Sequence, residues 1–202
     1  MNLSRRLDRS FYMQDTLTVA RELIGMHLVH RLEGERRIGR IVETEAYQGP
    51  RDRAAHSWRG RTARTAVMFG PAGHAYVYLI YGVWHCLNVV TAAEGVPHAV
   101  LLRAVEPVTG VTARTCGPGL LCRALDIDLR LNGADLCRGG LSIERPPALP
   151  RVRIGRSARI GVDYAGEWAA RPWRFFDKDS AFVSGASPHR RRRRGPPRAA
   201  AS

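Results

Sequence analysis

The sequence predicts a single α/β domain of the α+β kind, built mainly on antiparallel strands. The chain has 202 residues, a length at which one domain around one core is the usual arrangement. A helical pattern near the N-terminus precedes two strand patterns joined by a turn at Glu33-Gly34, and this order favours antiparallel pairing. Further along, Tyr81-Gly82 interrupts an aromatic segment and suits the tip of a hairpin.

The first elements follow from periodicity and end signals. The segment TLTVARELI has an apolar side, Asp15 or Thr16 can cap its start, and Gly25 can end the helix. The strand MHLVHRL comes next, and a second strand begins at about Arg37. Residues 1–14 are basic, and we expect them to be irregular.

The second half continues the alternation of strands and turns. The segments HAYVYLIYGVWHCLNVV and AVLLRAVEP predict strands, and LLCRALDI predicts a helix after a glycine-rich turn. An aromatic segment then supplies Trp168, Trp173 and Phe175 to the core. We expect one folded domain over residues 1–186 and a disordered arginine-rich tail over residues 187–202.

The charge of the chain points to a polyanionic partner. Lys and Arg number 32 against 18 acidic residues, a formal net charge of +14. Such an excess favours nucleic acid ahead of an anionic membrane. Codon bias can explain the choice of arginine over lysine, but it does not explain the surplus over acids. The arginine run of the tail can add salt-dependent affinity for DNA.

Several classes of protein are disfavoured. No apolar run approaches the ~20 residues that span a membrane, and the start lacks the apolar core of a signal peptide, so we expect a cytoplasmic protein. No CxxC pair, HExxH, phosphate loop, dinucleotide fingerprint or GxSxG elbow is present, which argues against a metal, a nucleotide cofactor or a serine triad. The only lysine is Lys178, which restricts any Schiff-base chemistry.

The stretch GRIVETEAYQGPRDRAAH carries the most chemistry. Alternation along a strand puts Glu43, Glu45 and Tyr47 on one face, and the following loop ends at His56. A carboxylate, an aromatic plane and an imidazole suit the binding of a flat heterocycle beside an activated water. Residue type alone does not separate Glu43 from Glu45, and a structural ion pair with an arginine is an alternative for either.

Four segments resemble, in the same order, the bacterial type of the alkyladenine (3-methyladenine) DNA glycosylase family. They are GRIVETEAYQGPRDRAAHS, MFGPAGHAYVYLIYGVWHCLNVV, AVLLRAVEP and RIGVDYAGEWAARPWRFF. The resemblance runs from about Ser10 to Ser184. It implies a curved antiparallel sheet with a protruding hairpin, related to the C-terminal domain of formyltransferases. It also implies a monofunctional enzyme that excises alkylated or deaminated purines, such as methylpurines, hypoxanthine and ethenoadenine, from duplex DNA.

The resemblance also assigns roles to individual residues. The general base falls on Glu45, and the arginine that helps to place the catalytic water falls on Arg103. The base-binding residues fall on Tyr47, His56, Tyr78 and Asn88, and the intercalating residue falls on Tyr81. The basic loop supplies candidate contacts to the DNA backbone at Arg59, Arg61 and Arg64.

Two departures from the family pattern bear on DNA affinity. Leu120 stands where relatives usually have lysine, and Thr65 ends a TART segment where relatives often have TPRN.

We expect a monomer that needs no cofactor and no metal, acts near the nucleoid and leaves an intact abasic site. The alternative is a non-catalytic DNA- or RNA-binding module of the same fold.

Overall fold

The computed structural model describes residues 5–185, so the predicted tail over residues 187–202 lies outside the described part. The helices are α1 (Arg9–Tyr12), α2 (Thr16–Glu22) and α3 (Pro118–Ala124). The strands are β1 (Arg5–Arg6), β2 (His27–Leu32), β3 (Glu35–Gln48), β4 (Ala75–Ile80), β5 (Trp84–Thr91), β6 (His98–Thr109), β7 (Leu141–Arg145), β8 (Ile154–Ser157) and β9 (Arg174–Asp177). Short 3-10 helices cover His56–Arg59, Ala66–Phe69, Leu129–Leu131 and Asp163–Trp168.

The nine strands within residues 5–185 join one sheet, and every strand pairing among them is antiparallel. The order is β1-β7-β2-β3-β6-β5-β4, and β9 pairs with both β3 and β8. The predicted α+β class with a largely antiparallel sheet is therefore confirmed. The relation to the formyltransferase C-terminal domain stays a prediction.

Strand β3 organises the sheet because it changes partner along its length. Its first part pairs with β2, from Glu35 to Arg40, and its later part pairs with β9, from Glu43 to Glu45. On its other side β6 runs along nearly the whole strand, with register shifts on both sides of Glu43. Such bulges bend a strand and re-aim its side chains, and they are common next to active sites.

The helices lie against the sheet and close the core. The Asp15 side chain accepts a 3.0 Å bond from the Thr18 N–H and caps α2, as predicted. Gly25 follows the helix with a φ of 94°, in the left-handed region that glycine tolerates. From α2, Val19 and Leu23 are fully buried in the main core.

The hairpin of β4 and β5 has the predicted tip. Ile80 pairs with Trp84, which leaves Tyr81, Gly82 and Val83 in the loop. Tyr81 has a φ of 54° and is 85% exposed, and Gly82 has a φ of 68°. A bulky aromatic residue with a positive φ and so much exposed surface is unusual. The hairpin therefore presents the Tyr81 ring outward.

The structure differs from the sequence prediction in three places. Residues 5–14 are not irregular, because they contain β1 and α1, with Asp8 capping α1 through the Phe11 N–H. Strands β7, β8 and β9 were not predicted, since all three are short and depend on partners distant in the chain. Helix α3 is shorter than predicted and begins at Pro118, inside the glycine-rich turn.

Within the described residues, no helix is both long and apolar enough to cross a membrane.

Candidate active site

A cavity of about 400 Å³ opens beside β3, the hairpin and β6. This volume is in the ~300–1,000 Å³ range of ligand pockets. Sequence-predicted residues from four separate segments form part of its wall: Tyr47, His56, Tyr78, Tyr81, Asn88 and Arg103. The fold therefore gathers in one place the residues predicted for base binding, intercalation and water placement.

Glu45 lies directly behind this wall. The residue is fully buried, and its carboxylate accepts three hydrogen bonds. Oε2 accepts from the Tyr47 hydroxyl at 2.8 Å and from Arg103 Nη1 at 3.3 Å, and Oε1 accepts from the Ile160 N–H at 2.8 Å. All three donor residues line the cavity. Oε1 accepts only one of these three bonds, so it keeps capacity for a further donor.

Glu43, the other carboxylate on this face, has a different environment. Its Oε1 accepts from Arg103 Nε at 2.9 Å, from Arg174 Nε at 2.6 Å and from Ser184 Oγ at 2.9 Å. Its Oε2 accepts from the Ser184 N–H at 2.6 Å. Like Glu45, Glu43 is fully buried and does not itself line the cavity, but of its three donor residues only Arg103 does. Glu43 thus forms ion pairs with two arginines, Arg103 and Arg174, whereas Glu45 forms one, with Arg103.

Arg103 links the two carboxylates from the bulged part of β6. Glu43 pairs with Ala104 and Thr44 pairs with Leu102, so Arg103 is the extra residue between two register positions. Burial opposes the charge of the guanidinium, but Glu45 and Glu43 outweigh it and raise the pKa of Arg103. The site therefore holds a permanent cation in contact with both acids.

The aromatic wall is ordered by contacts among its own members. The Tyr76 and Tyr78 rings share a face, as alternation predicted, with centroids 5.4 Å apart. The His56 ring meets Tyr78 edge-on at 4.5 Å, and His56 Nδ1 lies 3.0 Å from the Tyr76 hydroxyl. Asn88 pairs with Tyr76 across the hairpin and donates to its carbonyl at 3.2 Å. These contacts hold the side chains of the wall in fixed orientations.

The pKa shifts of His56, Tyr47 and Tyr78 all favour the uncharged form of the ring. Although more than a third of the His56 surface is accessible, desolvation by the packed rings and then the Arg64 cation lower its pKa to about 4. Burial and the neighbouring Glu45 raise the pKa of Tyr47, so its hydroxyl remains a donor. Burial also raises the pKa of Tyr78. At neutral pH the wall thus presents an uncharged imidazole and uncharged phenols.

The three loop arginines are exposed, and each lies over an aromatic ring. Arg59 lies 4.8 Å from the Trp58 centroid, Arg61 lies 5.9 Å from the Phe69 centroid, and Arg64 lies 5.1 Å from the Tyr78 centroid. Arg64 is therefore close to the cavity wall. All three arginines are exposed, and in the sequence they lie between His56 and Met68, which both line the cavity.

Several wall and support residues were not predicted. Tyr76, Ile160 and Tyr164 line the cavity. The shared face with Tyr78 was a signal for Tyr76, whereas nothing in the local sequence marks the backbone N–H of Ile160. Arg159 stacks between the rings of Tyr47 and Trp173, at 4.7 and 5.0 Å from their centroids. It supports Tyr47 from outside the cavity wall.

The two departures from the family pattern have different surroundings. Leu120 lines the cavity, so this position contributes to its wall. Thr65 is buried, and its hydroxyl accepts a 2.9 Å bond from the Thr62 N–H. Thr65 thus supports the basic loop from within. Among residues 5–185, no group of three His, Cys, Asp or Glu side chains is placed to hold a metal ion.

Comparison with known proteins identifies the family. The family model described as methylpurine-DNA glycosylase (MPG) matches residues 10–181. A protein of Anaeromyxobacter sp. (strain Fw109-5), named "Putative 3-methyladenine DNA glycosylase", is 59% identical over 182 residues, which cover 90% of this chain and 93% of that protein. Proteins with the same name from Myxococcus xanthus (strain DK1622) and Legionella pneumophila (strain Corby) are 53% and 52% identical, and the matches cover 93% and 89% of this chain and 97% and 98% of those proteins. The chain belongs to the methylpurine-DNA glycosylase family.

Proposed function

We propose that this chain is a DNA glycosylase of base excision repair that hydrolyses the N-glycosidic bond of alkylated or deaminated purines in duplex DNA. Membership of the methylpurine-DNA glycosylase family supports the enzyme class. The observation that carries the mechanism is the position of Glu45 between Tyr47, Arg103 and Ile160, directly behind the cavity. The net charge of +14 suits a nucleic-acid substrate.

The damaged base must leave the helix before it can react. Extrusion costs a few kcal/mol because stacking and pairing are lost. Tyr81 is placed to offset part of this cost, since its exposed ring at the hairpin tip can enter the gap. Arg59 and Arg61 lie on the neighbouring loop with their charges in solvent, where phosphates can bind them.

The cavity can then hold the extruded purine. Tyr47 and Tyr78 supply aromatic faces, each worth ~1–3 kcal/mol for a stacked base. His56, neutral at pH 7 because its pKa is lowered to about 4, can offer a hydrogen bond without adding positive charge. This neutrality suits alkylated purines, which are themselves cationic, because it avoids like-charge repulsion.

Hydrolysis follows at the bottom of the cavity. Water attacks C1′ of the sugar while the bond to the purine breaks, and Glu45 takes the proton from that water. The free acceptor position on Oε1 is available for this water, while Arg103 holds Oε2. The carboxylate charge also stabilises the positive charge that develops on the sugar. The base leaves with the bonding electrons, and the sugar keeps a hydroxyl group.

The product is an intact abasic site. Strand cleavage through a Schiff base needs an amine, and the only lysine, Lys178, is exposed at the end of β9 and is absent from the cavity wall. Borohydride should therefore trap no covalent adduct between enzyme and DNA. An adduct that disappears in Lys178→Arg would show that the enzyme is also a lyase.

The test of this function is single-turnover excision from duplexes that contain hypoxanthine, ethenoadenine or a methylated purine. We expect wild-type protein to release at least one of these bases. Glu45→Gln should bind the same duplex with unchanged affinity but lose about 10²–10⁴-fold in rate, which is the usual contribution of a general base. Folded wild-type protein that binds damaged DNA yet releases none of these bases would favour the non-catalytic alternative.

A further inference from the structure

Ser184 lies at the centre of the hydrogen bonds behind Glu45. Its backbone N–H and its hydroxyl both donate to Glu43, at 2.6 and 2.9 Å. The same hydroxyl accepts from Arg103 Nη2 at 3.2 Å, and the Ser184 carbonyl accepts from Arg174 Nη2 at 2.9 Å. One buried serine thus contacts both arginines and the second carboxylate.

These contacts fix every nitrogen of the Arg103 guanidinium. Nε bonds to Glu43, Nη2 bonds to Ser184, and Nη1 bonds to Glu45. A planar guanidinium held at two nitrogens has one remaining orientation for the third. The position of Nη1 relative to Glu45 is therefore set by Glu43 and Ser184, which bind the other two nitrogens.

The contact with Glu45 is also the longest of the three. It measures 3.3 Å, against 2.9 Å to Glu43 and 3.2 Å to Ser184. If Glu43 and Ser184 were lost, Arg103 could turn fully onto Glu45 and form a closer pair. A closer pair would occupy the carboxylate that has to receive a proton from water.

We propose that Glu43 and Ser184 are positioning residues that hold Arg103 at a set distance from Glu45 and keep Glu45 available as the base. The proposal rests on the function proposed above. Neither residue lines the cavity. Their effect should therefore fall on the rate of bond cleavage and leave lesion binding unchanged.

Ser157 provides a matched control. Its hydroxyl accepts from Arg174 Nη1 at 3.0 Å, so it supports the same cluster from the side of Arg174. It donates to the Ala158 carbonyl at 2.9 Å. Ser157→Ala therefore removes one serine hydroxyl from the cluster without touching Arg103 or Glu45.

The experiment measures single-turnover excision at saturating enzyme, together with lesion affinity and thermal stability, on full-length protein. We expect Ser184→Ala to lower the excision rate about tenfold, as loss of hydrogen bonds to charged groups does. Affinity should remain within about twofold, the expected range for a change outside the cavity. Ser184→Thr should recover most of the rate, and Ser157→Ala should stay within about twofold of wild type. If Ser184→Ala does not fold, Glu43→Gln tests the same support of Arg103 through its other contact.

The pH profile separates positioning from a loss of folded protein. Glu43→Gln removes a negative charge close to Glu45 and frees Arg103 to turn onto it, so we expect the acidic limb of the rate profile to move to lower pH. A smaller folded fraction would scale the profile without moving it. An unmoved profile would overturn the proposal, and so would a Ser184→Ala rate no lower than that of Ser157→Ala. In either case, excision by wild-type protein would leave the proposed function intact. Absence of excision by wild-type protein would instead reject the function itself.

Discussion

The Tyr47 hydroxyl donates a 2.8 Å hydrogen bond to Glu45 Oε2, and the Tyr47 ring forms part of the cavity wall. One side chain thus contacts both the cavity that would hold the base and the carboxylate that would activate the water. The strand geometry makes this contact possible, because residues two apart on a strand share a face. In the proposed function, the Tyr47 ring therefore binds the base and the Tyr47 hydroxyl supports Glu45, and a substitution can remove one without the other.

Tyr47→Phe should separate these two roles. The variant keeps the aromatic face but removes one donor to Glu45, so we expect lesion affinity to stay unchanged while single-turnover excision slows about tenfold. Tyr12→Phe is the control, since the buried Tyr12 hydroxyl has no hydrogen-bond partner within residues 5–185. Equal rates for Tyr47→Phe and wild type would mean that the hydroxyl does not influence Glu45.

Tyr81→Ala should impair extrusion more than chemistry. The Tyr81 ring is 85% exposed, so the free energy of unfolding should change little. We expect excision from duplex DNA to slow about tenfold or more, because part of the extrusion cost is no longer offset. The same lesion in single-stranded DNA should show a smaller loss. Leu149→Ala, at a surface position that is 48% exposed, is the control for removal of an exposed apolar side chain.

Stability should depend on pH through His56. Its pKa of about 4 in the folded chain is below the ordinary value of 6.5, so between these values the unfolded chain binds more protons. The free energy of unfolding should therefore fall as pH drops from 6.5 towards 4. Urea denaturation at pH 7 and 4.5 should show a larger loss for wild type than for His56→Gln. Because His56 is partly exposed, we expect a modest difference. Identical losses would contradict the assignment of this effect to His56.

The Asp52–Arg159 pair should be important for stability. Both side chains have 0% exposure, and Arg159 reaches Asp52 through contacts of 2.5 and 2.9 Å. Asp52→Ala leaves a buried, unpaired guanidinium, so we expect a loss of about 3–5 kcal/mol in urea denaturation.

The control for this pair lies at the surface. Asp179 binds Arg153 with side-chain exposures of 52% and 74%, and Asp179→Ala should cost less than about 1 kcal/mol. A similar cost for the two variants would show that burial does not determine the contribution of the Asp52 pair.

Local periodicity was sufficient to predict much of the fold and part of the site. The end signals located α2, and the turn at Glu33-Gly34 located the hairpin of β2 and β3. Alternation put Glu45 and Tyr47 on one face, and the glycine after Tyr81 put that residue at an exposed tip. These features follow from φ/ψ preferences and side-chain direction, which neighbouring residues determine among themselves.

Only the tertiary structure decided how the two carboxylates differ. Glu43 and Glu45 are equivalent by sequence pattern, but Glu43 is enclosed by Arg174 and Ser184, which lie 131 and 141 residues away. Glu45 instead meets the Ile160 N–H, 115 residues away, behind the cavity wall. A β-bulge aims Arg103 between them. Contacts at such separations depend on strand register and loop closure, and no local periodicity encodes these.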